Sequence, residues 1–228
     1  MQRRGLVVDD EPQVCELIGK VLHSAGMEAL TLTRSTEAPD LLNEGQFDVV
    51  LLDLHMPSPD GIELARQMRG SRFNRTTPII LISDDLRPSA LSVGFAAGAS
   101  FFLYKPIDRD RLLKLLKATQ GSMAHERRRT RRVPLQSRVR LKFGAQELEG
   151  ETIDVSMSGL LVRSPRTAPV GSSLGISWRL SERIPPIVAG GLVTRILNGD
   201  QMGIRLEQLS LSDSDILQEF LLPMITTE

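Results

Sequence analysis

Five polar residues stand at the ends of short apolar runs: Asp9 and Asp10 after GLVV, Asp53 after DVVLL, Ser83 closing PIILIS, and Lys105 after FFLY. Three carboxylates, a hydroxyl and an ammonium in such positions suit phosphoryl transfer to a carboxylate. Close acids repel one another unless a hard divalent cation such as Mg2+ lies between them. That cation, with Lys105 and the Ser83 hydroxyl, would neutralise the oxygens of a transferring phosphoryl group. Asp53 would be the nucleophile. Taken singly, each of these residues is also suited to capping a helix or making a turn.

A second constellation begins at ERRRTRRVPL (126–135), with five arginines in six consecutive positions. Such a run suits a solvated linker, a nucleic-acid arm or a grip on a small anion. Arginine forks bind phosphate and stack on flat π-systems, so Arg128 and Arg132, four apart, are spaced to clamp a compact ligand carrying both phosphates and bases. Some twenty residues on lies DVSMSG (154–159), at a turn between two apolar strands. Asp154 can accept hydrogen bonds from a guanine edge, Ser156 can donate or accept, and Gly159 lets the backbone turn tightly or approach a ligand closely.

The elements that must position these groups follow from periodicity. GLVV (5–8), EALTLT (28–33), DVVLLD (48–53), PIILIS (78–83) and FFLY (101–104) read as strands of a parallel sheet covered on both faces. Between them run helical patterns, such as Val14, Leu17, Ile18, Val21 and Leu22, and Asp108 caps a fifth helix over RDRLLKLLKA. This βα alternation predicts a doubly wound α/β domain, whose ligands bind at the carboxyl ends of the strands. After about Ala118 the pattern changes. VRLKF (139–143), GETIDVS (150–156), GLLVRS (159–164), LGISWRL (174–180), IVAGGLVTRI (187–196) and MGIRLEQL (202–209) predict a small antiparallel barrel or sandwich. SDSDILQEFLLPMI then predicts a closing helix with Ile216, Leu217, Phe220 and Leu221 on its apolar face.

Across 228 residues, 28 Lys and Arg balance 28 Asp and Glu, so no global field draws the protein to DNA or an acidic membrane. Residues 127–142 depart from that balance, with eight basic residues and no acid. The one cysteine, Cys15, excludes an intramolecular disulfide and reads as a small core residue. His23 and His125 form no ligand spacing. No apolar run approaches the roughly twenty residues needed to span a bilayer, and the N-terminus is not of signal-peptide type. A cytoplasmic location without membrane insertion is expected.

LVVDDEP, LLDLHMPSPDG and the late YKP give residues 1–120 a close resemblance to a response-regulator receiver domain, which accepts phosphate from a sensor histidine kinase. The resemblance implies Asp10 and Asp53 as direct Mg2+ ligands, the His55 main-chain carbonyl as a third, and Asp9 assisting through water. It also implies Asp53 as phosphoacceptor, Ser83 as switch hydroxyl and Lys105 as phosphate partner. The family uses the backbone at His55, so its side chain is not expected to ligate. Phe102 falls at the switch aromatic of the family and reads equally as a core strand residue.

RRTRRVPL, DVSMSG and the late MGIRL make residues 124–222 similar to the PilZ family, a small β-barrel that binds cyclic di-GMP. The similarity implies Arg128 and Arg132 gripping phosphate and guanine, with Asp154, Ser156 and Gly159 completing the pocket. Arg127 and Arg131 satisfy the same spacing; 128/132 is preferred because Val-Pro-Leu follows Arg132. Trp178 reads as core, and nothing singles out Arg163 or Arg195.

The expected molecule has an α/β doubly wound (βα)5 receiver over 1–120, then a PilZ-like antiparallel β-barrel with a C-terminal helix over 121–228, joined by the arginine-rich junction 124–135. Its expected function is that of a two-component response regulator, phosphorylated on Asp53 by a sensor histidine kinase and binding cyclic di-GMP. It would signal to a downstream protein by altered protein–protein interaction. Its only expected chemistry is phosphoryl transfer to its own Asp53 and slow autodephosphorylation. The alternative is a response regulator whose basic second domain binds nucleic acid, against which stands the lack of a helix-turn-helix or an aromatic platform. Residues 118–132 would couple phosphorylation to ligand affinity.

Overall fold

The computed structural model describes residues 2–85, 87–120 and 132–226. Arg127, Arg128, Arg131 and His125 lie outside the described residues, as does most of the junction expected to couple the two halves.

The first half alternates β1 (Arg3–Val8), α1 (Pro12–Ser24), β2 (Met27–Leu32), α2 (Ala38–Glu44), β3 (Val49–Asp53), α3 (Gly61–Gly70), β4 (Ile79–Ser83), α4 (Pro88–Ala97), β5 (Phe101–Tyr104) and α5 (Arg109–Gln120). All pairings are parallel, in the order β2-β1-β3-β4-β5. The five expected strands fall within two residues of their expected limits. β3 and β4 are buried at every residue, as a sheet covered on both faces requires. The order reverses at β1, whose neighbours are β2 and β3, so the loops after β1 and β3 flank the crevice where such sheets bind ligands.

Local chemistry sets the helix starts. Pro12 opens α1, where its missing N–H costs nothing. The buried stripe of α1 is centred on Cys15, Ile18 and Leu22, while Val14 and Leu17 sit half-buried at its margin. A capping box formed by Asp60 and Glu63 begins α3. The Asp108 carboxylate accepts the Arg111 N–H at 2.7 Å, the expected cap of α5.

The second half contains β6 (Val133–Pro134), β7 (Arg138–Phe143), β8 (Gln146–Ser156), β9 (Gly159–Arg163), β10 (Ser173–Trp178), β11 (Ile187–Leu197), β12 (Gln201–Leu209) and α6 (Leu211–Thr226). Antiparallel pairing runs β8-β7-β10-β11-β12-β9 and returns to β8, closing a six-stranded barrel. Of the expected barrel or sandwich, the barrel is present. Closure gives each of these six strands a partner on both sides. β6 continues along the β8 edge that β7 occupies, a pairing too short to leave a periodic signal. β8 also starts four residues earlier than expected, because its first half alternates Glu with Leu148 and Gly150 and carries little apolar character.

Val139, Leu141, Leu148, Leu160, Ile176 and Ile204 fill the barrel with Trp178, which is 1% exposed and therefore core as expected. Ser210 caps α6 by accepting the Asp213 N–H at 3.1 Å. The helix buries Leu217 and Leu221, with Ile216 and Phe220 half-exposed.

The β8–β9 hairpin closes on itself and against β12. Ser156 and Gly159 are paired, and the Ser158 carbonyl accepts the Leu206 N–H at 2.9 Å. A Cβ on Gly159 would run into the main-chain carbonyl of Ile204. Gly159→Ala should therefore lower stability by about 1–3 kcal/mol through overpacking alone, measured as a reduced urea midpoint without any ligand present.

Candidate functional site

The loops at the carboxyl ends of β1, β3 and β5 bring four charged groups together. Asp9, Asp10 and Asp53 each offer a carboxylate oxygen within 4.8 Å of the others. Lys105 Nζ lies 3.2 Å from Asp9 Oδ2, 3.1 Å from Asp53 Oδ1 and 2.6 Å from Glu11 Oε1. Asp9 is fully buried and Asp53 nearly so, whereas Asp10 is exposed. The Asp9 carboxylate accepts the Glu11 N–H at 2.9 Å, which fixes the turn into α1. The Asp53 carboxylate accepts the His55 N–H.

Ser83 is buried at the end of β4. Its hydroxyl oxygen accepts the Asp85 N–H at 2.8 Å, and its carbonyl accepts the Lys105 N–H at 2.9 Å, which ties the β4 and β5 ends to each other. The His55 ring points instead to Asp84 and Asp85, at 3.4 and 3.7 Å. Phe102 is buried, edge-on to Phe95 at 5.1 Å, and its ring occupies the space a side chain on Gly94 would need.

Two positions in this rim carry roles that residue type alone did not mark. Glu11, directly after the acid pair in LVVDDEP, is the closest partner of Lys105. Gly61, closing PSPDG, packs its α-carbon against the Asp53 carbonyl so tightly that a Cβ would collide with it. The signal for Glu11 was its position two residues beyond Asp9, in the turn that must face the same rim.

In the barrel, Arg132 is ion-paired with Asp154, and Pro134 lies opposite Asp154 in the β6–β8 register. Ser156 is fully buried and donates its hydroxyl to the Gly159 carbonyl at 3.1 Å. Ser156 and Gly159 thus build the hairpin, while Arg132 and Asp154 present charge on its outer side. An open groove of about 1120 Å³ elsewhere on the barrel is lined by Arg138, Arg140, Glu149 and Glu151 among others; of the expected ligand residues, the described ones (Arg132, Asp154, Ser156 and Gly159) do not border it.

Residues 6–117 match the family model of the response regulator receiver domain, and residues 126–222 match that of the PilZ domain. The chain is a receiver domain followed by a PilZ domain. The receiver fold is shared with the Vibrio cholerae chemotaxis protein CheY4, 29% identical with a TM-score of 0.50 over 52% of this chain and 99% of that one. It is shared too with the receiver domain of a sensor histidine kinase from Pseudomonas aeruginosa PAO1, which holds a magnesium ion in its active-site cleft. That domain is 25% identical, with a TM-score of 0.50 over 53% of this chain and 99% of that one. Among curated proteins, the phosphate regulon transcriptional regulatory protein PhoB of P. aeruginosa is 32% identical over 113 residues, half of this chain and 49% of that protein. The sensory/regulatory protein RpfC of Xanthomonas campestris is 33% identical over 115 residues, half of this chain but 16% of that protein. The chain thus spans about half or less of the curated relatives it matches. Receiver domains generally bind Mg2+ through acidic residues, and PilZ is a cyclic di-GMP-binding family. Among the described residues no helix is long and apolar enough to cross a membrane.

The receiver rim fits a hard cation. Asp9 Oδ2 is buried and among the described residues meets only the Lys105 ammonium, at 3.2 Å, without a well-formed hydrogen bond. An acceptor in that condition costs free energy unless a cation takes it up. Burial pushes the Asp9 pKa up to about 6, with the Asp53 charge adding to the rise. Burial likewise raises the Asp53 pKa, against the lowering effect of Lys105. For Lys105, burial acts to lower the pKa, but hydrogen bonds to Glu11 and Asp53 and the surrounding acids hold it above the ordinary lysine value. Burial also pushes the Cys15 thiol up to about 11, and its Sγ bonds the Asp9 and Leu32 carbonyls at 3.3 and 3.4 Å. Cys15 is the small core residue expected.

The folded protein holds the Asp9 proton more tightly than the unfolded chain, so ionised Asp9 opposes folding. That cost is complete above about pH 6 and disappears as pH falls toward about 4. In the presence of a chelator, Asp9→Asn should stabilise the protein by about 1–3 kcal/mol at pH 7. The gain should shrink toward zero between pH 6 and 4 in denaturant titrations.

Proposed function

We propose that the chain is a response regulator with two inputs, phosphorylation of Asp53 in the receiver and binding of cyclic di-GMP by the PilZ barrel. The observation that carries the first input is the convergence of Asp9, Asp10, Asp53 and Lys105 at the strand ends, with a buried carboxylate oxygen lacking a hydrogen-bond donor among the described residues. Asp10 and Asp53 would hold Mg2+ with the His55 main-chain carbonyl, and Asp9 would assist through water. The metal, when bound, supplies positive charge to the acids and to the phosphoryl oxygens.

Asp53 contributes the nucleophilic oxygen. As its bond to phosphorus forms, the bond from phosphorus to the histidine nitrogen of a sensor kinase breaks. Lys105 already sits 3.1 Å from Asp53 and exchanges part of its carboxylate contact for the incoming phosphoryl group. Ser83 donates its hydroxyl to another phosphoryl oxygen. The half-buried rim excludes bulk water and strengthens both contacts. Slow hydrolysis returns Asp53 to its carboxylate.

In the barrel, Arg132 with Arg128 grips phosphate and guanine, Asp154 accepts hydrogen bonds from the guanine edge, and Ser156 and Gly159 hold the hairpin that presents it. The Arg132–Asp154 pair supports this reading, since it preorganises one donor fork and one acceptor side by side. The output is an altered contact with a downstream protein in the cytoplasm, and the division between the two modules falls near residue 120.

Two measurements test the inputs separately. Incubation with acetyl phosphate and Mg2+ should add one phosphoryl mass to the wild type, and Asp53→Asn should remove that addition completely. Calorimetric titration should show cyclic di-GMP binding to the wild type, weakened about 10- to 100-fold by Arg132→Ala, the loss of a charge-assisted contact.

A further inference from the structure

The outward face of the barrel beside Asp154 is shaped by two register shifts. In β8, Thr152 pairs with Val162 and Asp154 with Leu161, so Ile153 is an extra residue. In β11, Val193 pairs with Ile204 and Arg195 with Gly203, so Thr194 is extra. Side chains alternate across a strand. Thr152 and Val193 face the core, so strict alternation would also turn Asp154 and Arg195 inward. Each bulge reverses that parity and brings a charged residue to the surface, which is the kind of re-aiming bulges perform.

The two re-aimed residues share one row. Asp154 lies opposite Leu161 on β9, Leu161 opposite Gly203 on β12, and Gly203 opposite Arg195 on β11. The row spans three strand spacings, about 14 Å along the curved surface. Gly203 leaves its place in the row bare, and the Arg195 stem fills it. The Cγ and Nε of Arg195 lie 2.7 and 2.9 Å from where a Gly203 Cβ would stand, so the side chain lies back along the row. Thr194 donates its hydroxyl to the Gly203 carbonyl at 2.9 Å and anchors the bulge.

The neighbouring arginines are already engaged: Arg205 with Glu207 at 2.8 Å and Arg163 with Asp200 at 3.5 Å. Arg195 is exposed and has no hydrogen-bond or ion-pair partner among the described residues.

We infer that Arg195 is the far wall of the ligand site that begins at Arg132 and Asp154, binding a second phosphate or base edge of the same bound molecule. The inference rests on the cyclic di-GMP reading. Leu161 and the Arg195 stem lying over Gly203 form a low shelf between the two charged ends, against which a flat ring can pack. A free guanidinium at one end and a carboxylate–guanidinium pair at the other match a ligand that carries phosphates and donor-bearing bases together.

The test is calorimetric titration of cyclic di-GMP into the full chain as wild type, Arg195→Ala, Arg195→Lys and the charge control Arg183→Ala, with circular dichroism to verify folding. Arg195→Ala should bind about 10- to 100-fold more weakly. Arg195→Lys should fall between it and wild type, because it keeps charge but not the planar fork. Arg183→Ala should bind as wild type does. The Arg195 Nε–H resonance, assigned by its loss in Arg195→Lys, should shift on ligand addition. Wild-type binding with Arg195→Ala within twofold of it, and no shift of that resonance, overturns the role of Arg195 and leaves the cyclic di-GMP reading standing. No binding by the wild type overturns both.

Discussion

Lys105 is approached by Asp9, Asp53 and Glu11 within 3.2 Å, and the arrangement of the receiver depends on that convergence. Two ionised carboxylates about 5 Å apart repel by about 3 kcal/mol at the effective dielectric of a protein interior. Two of them here are also buried, which alone raises their pKa values. One ammonium offsets part of this and leaves Asp9 Oδ2 without a well-formed hydrogen bond among the described residues. The rim is therefore deficient in positive charge by design of its geometry. Strands β1, β3 and β5 are held in place by the buried apolar residues 6–8, 49–52 and 101–103, and that packing keeps the acids close despite their repulsion.

The same balance recurs in the barrel at a milder level. Arg132 and Asp154 are each about a quarter exposed at the side chain, so water shares in screening them. Their pairing also sets a condition on any occupant. A simple anion that draws Arg132 away leaves Asp154 without its cation. A ligand bringing N–H donors along with phosphate would compensate both partners.

Much of this was legible in the sequence because it depends on residue type at fixed period. Near-continuous apolar runs announced the buried strands, and their polar terminators announced the convergence of Asp9, Asp10, Asp53 and Lys105 at one rim, with Ser83 closing the neighbouring strand. Asp108 as a cap and Trp178 as core were equally readable. The elements that escaped did so for physical reasons. β6 is two residues long and follows an arginine run, and the start of β8 alternates glutamates with a leucine and a glycine. Glu11 became a partner of Lys105 only through a turn whose geometry no period encodes. Arg195 was visible as one arginine among several. What distinguished it was a one-residue shift in pairing, a property of two strands together and absent from either alone.

Those shifts have a consequence for how such a surface is inherited. Asp154 and Arg195 face solvent because each strand carries one residue more than its partner, so this charged face is written in residue count as much as in residue identity. A homologous strand that kept every motif letter but lost Ile153 or Thr194 would turn a charge into the barrel interior. Chain-length change within these two strands is therefore a harsher perturbation than most substitutions beside them. Lineages that preserve the face should preserve the spacing even where the surrounding letters drift.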